Sequence, residues 1–301
     1  QVVPDRAISL SVAAPTAMME FMTRRAYDCR VVSFGPLFLH LDGKSRVRRV
    51  ILLGASNLRM GLSAILKSLT AACRDPMHVF LVGGHGRSYG QWSYIPFRGL
   101  PGITQCEVWD ALEAFESSHA PLALVTDVGN DLLFHVEARQ LLEWVELCLV
   151  RLKRIDAQIV MTLPPWERLK LLSSMRYRAT RTLFFPGSRL SWAEMLERVE
   201  IVRNGLRSLG SQYGAAIIDP PLAWYGIDPI HLRRSRRLDA FHTMFRGWPD
   251  LASSTAEAAR SPSLRLPRLS WAKPSHRKFF GRDEWTPQPV WSGERLTVSL
   301  Y

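Results

Sequence analysis

The feature that most limits this chain is a series of short, unbroken apolar runs, each stopped by small or helix-breaking residues. Val50-Ile51-Leu52-Leu53-Gly54 is the first, followed by Val79-Phe80-Leu81-Val82 before Gly83-Gly84, and by Leu122-Ala123-Leu124-Val125. Ile159-Val160-Met161 then runs to Pro164-Pro165, and Ala215-Ala216-Ile217-Ile218 to Pro220-Pro221. Apolar runs of this length without alternation read as strands buried on both faces. The segments between them have helical spacing. Leu58, Leu62, Ile65, Leu66 and Leu69 share one face, as do Val108, Leu112 and Phe115, and 141–155 is amphipathic. The segment 192–209 carries Glu194 and Glu197 early and Arg203 and Arg207 late, an order that suits the helix dipole, with Gly210 and Gly214 to end it. Strands alternating with helices predict an α/β fold, a three-layer αβα sandwich around a five-stranded parallel sheet.

The pattern holds over 46–250, which is expected to be the catalytic or ligand-binding domain. Residues 1–45 form an N-terminal extension without a clear period, in which 31–34 and 37–39 are candidate edge strands. Residues 251–301 are rich in Pro, Ser and Arg and carry Trp271, Trp285 and Trp291; they read as a tail of little regular structure that packs on the domain. The basic and aromatic stretch 166–190 is longer than a usual connection and is expected to form a lid or substrate wall, with Trp166 among its substrate-contacting residues.

A net charge of +12 attracts anions in general but does not single out nucleic acid, membrane or an acidic substrate. Specific nucleic-acid binding is not predicted, and oligomeric state is left open. No run is long and apolar enough for a spanning helix. The mildly apolar stretch 7–19 is a poor secretion signal, so a cytoplasmic location is favoured over a secreted one. Cys29, Cys73, Cys106 and Cys148 form no C-x-x-C pair and sit in apolar or helical settings, which predicts free, buried thiols and no zinc site.

In a parallel sheet, ligands bind beyond the carboxyl ends of the strands. Ser56, in Gly54-Ala55-Ser56-Asn57, follows the first run and stands where a helix begins; alone, it reads equally as a helix N-cap. Gly86, in the glycine-rich 83–90 segment, follows the second run, and its backbone N–H could approach a ligand closely. Asn130 follows the third, in Gly129-Asn130-Asp131. Asp228 and His231 follow the fifth; Asp228 is a candidate N-cap with Pro229 in the first helical position. Each motif alone is weak. Together they place a nucleophile, amide donors and an acid–imidazole pair on one rim, the parts that acyl transfer needs.

The order Ser, Gly, Asn, then Asp and His resembles the SGNH (GDSL-like) hydrolase family, whose four sequence blocks carry those residues, over about 47–245. The resemblance implies a flavodoxin-like SGNH fold and a serine ester hydrolase with Ser56, His231 and Asp228 as catalytic triad. It further implies an oxyanion hole of Ser56, Gly86 and Asn130, a small acyl or acetyl ester as substrate, and neither metal nor cofactor. Arg87, Asp131 and Trp166 are the expected substrate contacts. Arg87, with Arg233, Arg234, Arg236 and Arg237, would suit an anionic substrate. One departure stands out: the family's first block usually reads Gly-Asp-Ser, and Ala55 occupies the Asp position here. A non-catalytic ligand-binding module and an acyltransferase with the same triad are the alternatives.

Overall fold

The structure, a computed structural model, describes residues 46–95, 97–184, 187–252, 269 and 271–301. The N-terminal extension 1–45, with its two candidate edge strands and Cys29, lies outside the described residues. In chain order the first elements are β1 (Arg48–Leu53), α1 (Ser56–Ala72), β2 (Met77–Val82), β3 (Ser93–Ile95), β4 (Arg98–Leu100), α2 (Val108–Glu113) and β5 (Leu122–Val125). Then come α3 (Asn130–Leu133), α4 (Ala138–Arg154), β6 (Gln158–Thr162), α5 (Trp166–Lys170), α6 (Ser174–Phe184), α7 (Trp192–Tyr213) and β7 (Ala216–Ile218). The chain continues with α8 (Arg237–Phe245), α9 (Pro249–Ala252), β8 (His276–Phe279), β9 (Arg282–Trp285), β10 (Trp291–Ser292) and β11 (Leu296–Leu300).

The strands expected from the apolar runs lie side by side in the order β2-β1-β5-β6-β7, all parallel, with Ile51 flanked by Phe80 and Ala123. The expected sheet of five strands is too small, however. β11 pairs parallel with β2, and β10 pairs antiparallel with β11, giving seven strands. The stretch read as a tail of little regular structure thus completes the central sheet. Leu296, Val298 and Leu300 are buried on one face, and on the other Ser299 is also buried, its hydroxyl bonded to His78. β8 and β9 join β3 and β4 in a separate antiparallel sheet of four strands.

The central sheet divides two apolar layers. Val50 and Leu52 face Leu58, Leu62 and Ile65 of α1 and Phe241, Met244 and Phe245 of α8. Ile51 and Leu53 face Leu141, Val145 and Leu149 of α4 and Val199, Val202 and Leu206 of α7. α1 and α8 approach closely because position 61 is glycine; a Cβ there would lie 2.3 Å from the Phe241 ring. The helix expected at 192–209 runs on to Tyr213. Gly210 lies inside it and Gly214 ends it, while Ser191 and Glu194 form a reciprocal capping box at its start. Cys73, Cys106 and Cys148 are free and buried.

Candidate active site

Ser56 is the first residue of α1, at the carboxyl end of β1, and only 6% of its surface is exposed. The turn that presents it is held from the next strand. Asp127, two residues beyond the end of β5, accepts hydrogen bonds from the backbone N–H groups of Ala55 and Asn57, both at 3.0 Å. Its other oxygen accepts the Asn57 side-chain amide at 2.7 Å. The amide of Ser56 lies between these two anchored amides and has no partner among the described residues. Asp127 adopts φ 58°, a conformation unusual for a residue with a side chain, and the three hydrogen bonds keep it there. Burial raises its pKa, while the Asn57 side chain and the two amides work against that rise.

Asn57 also reaches the last loop. Its side-chain amide donates to the Ile230 carbonyl at 2.9 Å, and its oxygen accepts the Leu232 N–H at 2.9 Å. The sequence predicts a helix starting at Asp228. The structure has instead a loop closed by a bridge between Tyr225 and Leu232. Asp228 folds that loop inward: one carboxylate oxygen accepts the N–H groups of Ile230 and His231 at 3.1 and 3.2 Å. Its other oxygen meets His231 Nδ1 at 2.5 Å, and His231 Nε2 meets Ser56 Oγ at 2.9 Å. Partial burial raises the Asp228 pKa, but the His231 imidazole and the two amides outweigh it and hold the carboxyl below its usual value.

Beside Ser56 opens a cavity whose walls include Asn130 and Asp127. Beyond them the lining is mostly apolar, with Leu133, Leu163, Leu172, Met195 and Val199. The stretch expected to form a lid or wall supplies α5, α6 and part of this lining, through Leu169, Tyr177 and Arg181. Asn130 opens α3, and its side chain makes no hydrogen bond to the described residues. Gly86 has φ 65°, which a residue with a side chain rarely adopts, and lies near Ile95 and Phe134; it is not among the cavity's lining residues.

The three expected substrate contacts lie elsewhere. Arg87 is 1% exposed and donates to the carbonyls of Pro101 and Tyr301, so it ties β11 to the body of the fold. Asp131 is 0% exposed and accepts from the Ser88 hydroxyl and the Tyr89 N–H, pinning the segment after Gly86. Trp166 turns from the cavity and lies under the charged ends of Lys170 and Arg203. Of the arginines past His231, Arg237 donates to the carbonyls of Leu232 and Met60, while Arg233, Arg234 and Arg236 are exposed. Asp127 and Asn57, which the motifs did not single out, are the residues that join the three loops. The signal was available for Asp127: it is a polar residue directly after a strand, where sites in parallel sheets are built.

Among the described residues, no group of three or more His, Cys, Asp or Glu side chains is placed to hold a metal ion. No helix among them is long and apolar enough to cross a membrane.

No protein-family model matches the chain, and no curated protein matches it. Several solved structures are similar in fold outline. A carbohydrate acetylesterase family member from Sinorhizobium meliloti shares 16% identity over 66% of this chain and 95% of its own, with a TM-score of 0.44. The esterase EstA from Pseudoalteromonas sp. shares 10% over 69% of this chain and 96% of its own, with a TM-score of 0.41. A lipolytic protein of the G-D-S-L family from Veillonella parvula shares 11% over 66% of this chain and 96% of its own, with a TM-score of 0.39. Similarity at this level assigns no activity, and the reading of the site rests on its own geometry.

Proposed function

We propose that the chain is a serine-dependent ester hydrolase working through an acyl-enzyme. The observation that carries this reading is the unbroken hydrogen-bonded series from Asp228 through His231 to Ser56. In it a carboxylate orients one imidazole nitrogen and leaves the other facing a hydroxyl. His231 takes the Ser56 proton as Oγ attacks the ester carbonyl, then gives it to the departing alcohol. Water enters, loses a proton to the same nitrogen and attacks the acyl carbon, and His231 returns that proton to Ser56 Oγ as the acid leaves. The unpaired Ser56 amide and the Asn130 side chain, both on the cavity wall, are the donors for the negative oxygen. Ala55 does not weaken the reading, because Asp127 supplies a carboxylate to the serine turn from the neighbouring strand.

The apolar cavity beside Ser56 is the place for the acyl group. It suits an aliphatic chain better than an acetyl group, since each buried methylene contributes about 0.8 kcal/mol, or about fourfold in affinity. The test is hydrolysis of p-nitrophenyl acetate, butyrate and hexanoate by the wild type and Ser56→Ala, with fluorophosphonate labelling in parallel. Ser56→Ala should lose activity by a factor on the order of 10⁴ or more and take no label. Absence of both hydrolysis and labelling in the wild type, with ligand binding retained, would make the chain a binding module instead.

A further inference from the structure

A second cavity opens on the β2–β11 side of the serine crevice, lined by Leu81 and Leu300. Its walls bring together Arg59 of α1, Arg98 of β4, Lys273, and Arg277 of β8, beside the backbone of Gly83 and Gly84. No acidic residue is among the described residues that line it. The nearest carboxylate compensation is Glu284, which Arg277 and Lys273 share at 2.7 and 3.4 Å. Arg59 donates to the carbonyls of Leu269 and Ala272.

Arg98 is the group left short. Its Nε and Nη2 are buried and have no hydrogen-bond partner among the described residues. They are the two nitrogens whose N–H bonds point to the same side of the guanidinium, the edge that grips two oxygens of one oxyanion. Buried donors left without an acceptor are costly. Here the cost is compounded by neighbouring positive charge: burial first, then Arg277, Arg59 and Arg87, lower the Arg98 pKa.

We propose that this cavity is a binding site for a phosphate group, held by Arg98, whose two unsatisfied nitrogens would turn out to meet it, with Arg59, Arg277 and Lys273 around it. Four cationic side chains line the cavity, and among the described residues the one carboxylate paired with any of them is Glu284, shared by Arg277 and Lys273, which favours a dianionic phosphate over a carboxylate. The site adjoins the serine crevice. Gly84 donates to the Ala55 carbonyl at 3.1 Å, and the pKa of His85 is lowered by burial first and then by the charges of Arg98, His231 and Arg59. On the ester-hydrolase reading, on which this last step alone rests, the phosphate is carried by the substrate and docks there while the ester lies at Ser56.

Calorimetric titration at constant ionic strength tests the site, with inorganic phosphate in one arm and glycerol phosphate in the other. Wild type and Ser56→Ala should bind alike, so the result stands apart from the fate of the catalytic reading. Arg98→Met should weaken binding by at least ~10-fold and Lys273→Met by about threefold, the loss of one charge-assisted contact each. Lys273 is half exposed, so its variant tests the site even if Arg98→Met fails to fold. Arg139→Met, an exposed control on α4, should leave binding unchanged. Tighter binding of the phosphate ester than of the free ion assigns the site to a substrate group, and the reverse assigns it to free phosphate. No saturable binding of either, or equal affinity in wild type, Arg98→Met and Lys273→Met, overturns the proposal.

Discussion

Two residues decide whether the serine and the imidazole stay in register. Asn57 bonds at once to Asp127 and to both sides of the loop that carries His231. Asn57→Ala removes three hydrogen bonds and leaves the Leu232 N–H without its acceptor. We expect a turnover loss of about 10-fold or more with little change in KM for a p-nitrophenyl ester, because misplacing catalytic groups slows chemistry rather than binding. Asp131 makes a different prediction. Burial raises its pKa to about 6, despite the Ser88 and Tyr89 hydrogen bonds that oppose the rise. A carboxyl whose folded pKa lies above its unfolded value favours the fold when protonated, and that contribution fades as pH rises through about 6. Between pH 4 and pH 7 the wild type should therefore lose on the order of 2–3 kcal/mol relative to Asp131→Asn. Urea titrations at both pH values check it, and an equal change in stability from pH 4 to pH 7 in the two proteins would refute it. The juxtaposition of Ser56, Asp228 and His231 was legible in the sequence because each follows a predicted strand. The misplacement of Arg87, Asp131 and Trp166 has the opposite cause: nearness along the chain does not say which way a side chain points, and each of these turns into the packed interior or along a helix.

At the scale of elements, the serine crevice is bounded by α5, α6 and α7, and the third of these sets its depth. Met195 and Val199 lie one turn apart on the face of α7 that borders the cavity. Val199→Trp should shift the preferred p-nitrophenyl ester from hexanoate toward acetate, with acetate turnover changed by less than about twofold, since the added ring fills the cavity rather than the reacting centre. Chain-length profiles of the two proteins show it directly. The strands and most helices were legible because unbroken apolar runs and helical spacing are strong local signals. The strand β11 was not. Leu296-Thr297-Val298-Ser299-Leu300 alternates like a half-exposed edge, and it follows a Pro-, Arg- and Trp-bearing stretch that reads as irregular. Only its partner, distant in sequence, makes it a strand. The loop at 226–231 misled for a local reason. Asp-Pro is a good helix opening, but the Asp228 carboxylate serves the His231 ring and the loop amides instead.

For the molecule as a whole, the C-terminal strand is part of the cooperative unit. Leu300 is buried, and β11 carries β10 on one side while pairing with β2 on the other. Leu300→Ala should cost about 2–4 kcal/mol of global stability. In native-state hydrogen exchange, the β11 amides should exchange only through the same opening as those of β1. Independent, faster exchange of β11 would show that it is an appendage. The pairing also orders events during synthesis. β2 leaves the ribosome early, while the strand that covers one of its flanks emerges only after all the residues that build the serine crevice. A nascent chain that has already made its nucleophile turn therefore still presents a bare row of amide and carbonyl groups along β2, open to pairing with a neighbouring polypeptide. Premature termination in the stretch before β11 would leave that row permanently unprotected, yielding a product prone to aggregate even though every side chain of the candidate site is present.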